Sequence, residues 1–92
     1  MKETNAERRS KLTKEQQAEF DQFMEAVRGV PAHRVAFALN RLTPTTDWRR
    51  CTKGMMAQSF AQRDCRILRS SLYAVTIERI VRSVKKIQQE LG

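Results

Sequence analysis

A chain of 92 residues, 40% of them hydrophobic, is long enough for one small domain with a modest core. Lysine and arginine outnumber aspartate and glutamate by 18 to 10, for a formal charge of +8, a balance that suits a polyanionic partner better than an acidic metabolite. One histidine, His33, and two widely spaced cysteines, Cys51 and Cys65, supply too few ligands for a zinc site and no base for a nucleophilic triad, so a non-enzymatic protein without metal or cofactor is expected.

The opening MKETNAERRSKL carries charges where a signal peptide needs an apolar core, and no later run approaches the ~20 apolar residues of a membrane span. A cytoplasmic location is the expectation. Residues 1–12 are polar, mixed in charge and without periodicity, which reads as a flexible basic N-terminal arm, with Arg8, Arg9 and Lys11 able to lie along phosphate. Residues 13–92 form the helical domain.

That domain reads as an all-α bundle of three to four helices. Thr13 with Gln16 makes a capping box, and Phe20, Phe23, Met24 and Val27 follow at the spacing of one helical face. Gly29 supplies the left-handed residue that ends this helix. Its outward face, with Glu15, Glu19, Asp21 and Glu25 against Lys14 and Arg28, is the one acidic element of a basic chain.

Pro31 opens a second helix, where its missing N–H costs nothing, and Val35, Leu39 and Leu42 with Ala32, Ala36 and Ala38 carry the stripe to Thr43. Thr43 precedes Pro44 and is therefore biased away from helical angles. Thr45 or Thr46 is then expected to cap a third helix with Asp47 in its first turn. In that helix Trp48, Cys51 and Met55 share one side, and Arg49, Arg50 and Lys53 share the other; Gly54 is a point of bending or ending. Met55, Met56, Phe60 and Ala61 carry the core onward. Both cysteines fall on apolar stripes and read as buried thiols.

The longest run without glycine or proline is 64–91, and it reads as a long C-terminal helix on which the others pack. Cys65, Leu68, Leu72 and Val75 make one stripe, while Tyr73, Ile77, Ile80, Val84, Ile87 and Leu91 make a second. The apolar face therefore moves round the helix, which either bends near Ser70 and Ser71 or has its middle enclosed by protein. The segment SLYAVTI has strand-forming composition, but no second strand candidate exists to pair with it.

No catalytic motif appears, so function is read from charge. Between Arg49 and Arg69 stand six cationic side chains, Arg49, Arg50, Lys53, Arg63, Arg66 and Arg69, against Asp64 alone. Guanidinium groups match phosphate oxygens bidentately and stack on bases, so these six are the candidate nucleic-acid-binding residues. A secondary basic patch, Arg79, Arg82, Lys85 and Lys86, lies on the polar face of the last helix. The segment Val35 to Cys51, VAFALNRLTPTTDWRRC, faintly resembles a helix-turn-helix, with Thr-Pro-Thr-Thr leading into an arginine-bearing helix. Arg41 adds a residue to the turn, and Asp47 falls where that family buries a valine or isoleucine.

The partner expected is therefore DNA, RNA or a nucleoprotein complex. A second class is a small adaptor or inhibitor acting by protein docking, such as phage-encoded proteins directed at host CRISPR effectors, an analogy of size alone. Homo-oligomerisation through the C-terminal helix would satisfy its second stripe, and a membrane surface is the weakest partner reading.

Overall fold

Threonine hydroxyls cap the starts of four helices, through Thr4, Thr13, Thr52 and Thr76. A computed structural model of the chain describes residues 3–43, 47–62 and 76–91, in which five helices follow in order: α1 (Asn5–Ser10), α2 (Lys14–Ala26), α3 (Ala32–Leu42), α4 (Lys53–Gln62) and α5 (Ile77–Leu91). The all-α expectation holds, with no strand among the described residues. The helix count exceeds the expected three to four because the N-terminal segment contributes one.

Residues 5–10 are helical where the sequence reading expects an aperiodic arm. Thr4 caps the segment by accepting from the Glu7 amide at 3.2 Å, and Leu12, just beyond it, is buried in the core. The arm escaped a periodicity search because six residues are under two turns and bury none of their own side chains. Its docking is made by close approach. A Cβ on Gly54 would meet Asn5 Oδ1 at 1.9 Å and Asn5 Cγ at 2.9 Å, so glycine lets α1 lie against the first turn of α4. Arg8 then reaches the Gln58 side-chain oxygen at 3.2 Å.

In α2 both halves of the capping box form: Gln16 N–H donates to Thr13 Oγ1 at 3.2 Å, and Thr13 N–H donates to Gln16 Oε1 at 3.0 Å. Phe20, Phe23 and Val27 are buried, with Met24 packed at their edge. Phe23 meets Phe60 of α4 in a tilted pair with centroids 5.6 Å apart, a geometry that adds to the ~1.5–3 kcal/mol of burying each ring. Gly29 takes φ of 77° just past the helix end, in the turn that Val30 N–H closes onto the Val27 carbonyl at 3.0 Å.

α3 buries Val35, Ala36, Ala38 and Leu39. Its exit is pinned by Thr43, whose hydroxyl donates to the Leu39 carbonyl at 2.8 Å and accepts from Trp48 Nε1 at 2.8 Å. Trp48 is buried as expected, but not on a helix. Residues 49 and 50 form a turn, and the next helix starts at Lys53, where Thr52 Oγ1 accepts from the Met55 amide at 3.2 Å. Ten residues therefore separate α3 from α4, well beyond the three or four of a helix-turn-helix. That resemblance fails, and so does the expected helix with Asp47 in its first turn, because residues 47–52 are not helical; its expected caps, Thr45 and Thr46, lie outside the described residues. Thr52 competes better because Gly54 and the core residues Met56, Ala57, Phe60 and Ala61 follow it in register.

The described part of the C-terminal run begins with its own cap: Thr76 Oγ1 accepts from the Arg79 amide at 3.2 Å. The helix described here thus begins at Ile77, and Thr76 is not helical. The first stripe, Tyr73, the serine pair and most of SLYAVTI lie outside the described residues. In α5, Ile80, Val84 and Ile87 are buried, with Ile77 at the edge. They pack against α3 and α2, while α2 and α4 each contact α1 as well as one another. Among the described residues the core is shared around α2 and α4 as well as α5, and Ile80, Val84 and Ile87 of the stripe considered for self-association are buried inside the chain.

Candidate nucleic-acid interface

Of the six residues of the arginine-rich middle, the structure describes Arg49, Arg50 and Lys53. Arg63, Arg66 and Arg69 lie outside the described residues. Arg49 is exposed but folds onto Asp47, with Nε to Oδ1 at 3.0 Å, Nη2 to Oδ2 at 3.1 Å and its own amide to Oδ1 at 3.0 Å. The side-chain hydrogen bond from Arg49, helped by its amide, pulls the Asp47 carboxyl down to about 2. Arg50 is exposed on the same turn. Lys53 turns inward, its ammonium donating to the Val27 carbonyl at 3.3 Å, where a cation complements the C-terminal end of α2. Cys51 is half-buried, and loss of solvent pushes its thiol above the ordinary range.

The secondary basic patch is better organised. α5 shows its apolar stripe to the core, so Arg79, Arg82 and Lys86, at helical spacings of three and four, stand together beside α3. With Arg41 and Leu42 from the last turn of α3 and Ser83 from α5 they line an open groove of about 290 Å³. Lys85 is exposed on α5 but is not part of the lining. Ser83 ties the two helices together by donating to the Ala38 carbonyl at 3.3 Å.

Two carboxylates flank these cations. Arg41 Nη2 donates to Glu90 Oε2 at 2.7 Å, which holds the Glu90 carboxyl below its ordinary range. Arg82 Nη2 donates to Glu78 Oε1 at 2.5 Å. Both pairs are solvent-exposed, and exposed ion pairs are worth ~0–1 kcal/mol. A phosphate oxygen can therefore take over either guanidinium at small cost.

Phe37, one turn before Arg41 on α3, is the exposed large hydrophobic residue of the described structure, with 46% of its surface open. The Arg41 guanidinium carbon sits over its ring, 5.2 Å from the centroid, within cation–π range. Neither Arg41 nor Phe37 was among the candidate binding residues read from the sequence, where Arg41 was noted only as an added residue in a turn. Their signal was present: Phe37 is an aromatic residue off the Val35, Leu39 and Leu42 stripe, and Arg41 is four residues on, sharing its face.

No cluster of three or more metal-ligating side chains occurs among the described residues, and none of their helices is long and apolar enough to cross a membrane. The chain has no significant match to a protein-family model, to a curated protein or to a solved structure.

Proposed function

We propose that the protein is a non-enzymatic binder of nucleic acid, free or within a nucleoprotein, and that the groove between α3 and α5 is its phosphate-binding surface. The observation that carries this reading is the convergence of Arg41, Arg79, Arg82 and Lys86, drawn from two helices, on one open groove. Three of the four are arginines, whose planar donors suit phosphate oxygens. The overall charge of +8 adds a long-range, salt-dependent attraction to any polyanion. This reading places the first contact on the C-terminal helix and α3, not on Arg49, Arg50 and Lys53.

The test is a pair of charge reversals measured by nucleic-acid binding across a salt series. Replacing Arg79, Arg82 and Lys86 together by glutamate is expected to flatten the slope of log affinity against log salt by roughly two or more units, since each phosphate contact contributes about 0.7 to 0.9. Replacing Arg49 and Arg50 by glutamate is expected to change it less. Lys53 is left in place because it is held at the end of α2. The opposite ranking would return the interface to the arginine-rich middle. Unchanged nucleic-acid binding in both variants, with loss of a protein partner in one, would favour the adaptor or inhibitor reading.

A further inference from the structure

Phosphate-binding grooves made of cations alone do not distinguish duplex from single strand. Here an exposed aromatic side chain lies beside the groove, in contact with one of its lining arginines. Phe37 lies on α3 away from the buried Val35, Ala36, Ala38 and Leu39, keeps 46% of its surface open, and is joined to the groove through Arg41, which both lines the groove and covers the ring at 5.2 Å. A charged groove that tracks a backbone, beside an aromatic surface for the bases, is the arrangement that binds single strands. In a duplex the faces of the bases are stacked on one another and unavailable, whereas in a single strand each can lie on a ring.

We propose that the α3–α5 groove takes single-stranded nucleic acid, with the sugar-phosphate chain against Arg79, Arg82 and Lys86 and one base stacked at Phe37 and Arg41. This deepens the reading of the groove as a phosphate-binding surface and rests on it. The chemistry fits each element. Arg41 donates to Glu90 in its plane, which leaves the guanidinium faces for the Phe37 ring and for a base. One exposed ring supports one stacked base, so the preference for single strands should be moderate and nearly independent of base identity.

The experiment uses the full chain and three fluorescent probes of equal length in nucleotides: an oligothymidylate, its fully abasic deoxyribose-phosphate counterpart, and a duplex. Affinities are measured at two salt concentrations, with thermal melts of every variant. The oligothymidylate is expected to bind about 5- to 150-fold more tightly than the abasic strand, the range of one base stacked on an aromatic side chain. Phe37→Ala should remove that advantage while leaving abasic-strand binding, the salt slope and the melt unchanged, and Phe37→Tyr should restore it. Equal affinity for oligothymidylate and abasic strand, tighter binding of duplex, or no effect of Phe37→Ala would each overturn the single-strand assignment while leaving the phosphate groove standing. Absence of salt-dependent binding to all three probes would instead defeat the underlying reading of the groove, so the two failures are distinct.

Discussion

Two regions of this chain carry comparable basic charge and use it differently. Between Asp47 and Lys53 three cations follow closely in sequence, yet one is paired with the carboxylate two residues before it, as Arg82 is with Glu78, and another is turned inward onto a helix terminus. Along α5 the cations are spaced by threes and fours, and the same number arrive side by side at a groove. Density in sequence measures how much charge a segment has, whereas periodicity on a helix decides where it points. The first region is an anchor, built around Trp48, and the second is a surface.

The sharpest way to break this contrast is at Trp48. Its ring is buried and its Nε1 donates to Thr43 Oγ1, while its amide donates to Asn40 Oδ1 at 3.1 Å. Trp48→Ala is expected to cost about 3–5 kcal/mol in chemical denaturation, as large aromatic truncations in cores do. Trp48→Phe, which keeps most of the volume and loses the indole donor, should cost about 1 kcal/mol from the hydrogen bond beyond the smaller loss of packing. If Trp48→Ala instead leaves stability intact and lowers affinity for nucleic acid, the segment is a contact surface and the distinction drawn here is reversed.

A smaller effect is expected at Lys53. Charge complementing the last carbonyls of a helix contributes roughly 0.3–1 kcal/mol, so Lys53→Met should lower stability by that order while leaving nucleic-acid affinity almost unchanged. The opposite pattern, unchanged melting with a shallower salt slope, would make Lys53 a phosphate ligand and restore it to the interface.

The sequence made the helical class legible wherever a cap and an apolar stripe agreed. Thr13 with Gln16, the Phe20 to Val27 stripe, Gly29 and the Ile80, Val84 and Ile87 stripe all act as read. It was misleading where two signals competed for one start. Thr45, Thr46 and Thr52 are all plausible caps from the side chain alone, and the choice of Thr52 depends on packing that no local pattern contains, namely the seating of Trp48 against Thr43 and of α1 against Gly54. Likewise Thr76 looked like one more residue inside a long helix, because its hydroxyl can cap only where its own backbone leaves the helical region. The candidate groove was half visible: the α5 cations were read as a patch, but their partner Arg41 belongs to a helix 38 residues earlier than Arg79, and only the tertiary contact between α3 and α5 joins them.

The smallest expected effect concerns Asp47 and bears on whether Arg49 is available to a phosphate. The Asp47 carboxyl titrates at about 2, against an ordinary 3.8, chiefly because the Arg49 side chain donates to its charged form. A carboxyl depressed in the folded state contributes stability above its unfolded value, and that contribution disappears as pH falls from 3.8 through about 2. Both groups are exposed, and residues two apart keep part of their attraction in the unfolded chain, so the change in melting over this window should be slight. The clearer readout is the carboxyl chemical shift. Arg49→Ala should move the midpoint part of the way from about 2 towards 3.8, the remainder being held by the amide of residue 49, which still donates to Oδ1. A wild-type midpoint already near 3.8 would mean that Arg49 is not held by Asp47, leaving it free to meet phosphate in solution and removing half of the contrast between the two basic regions.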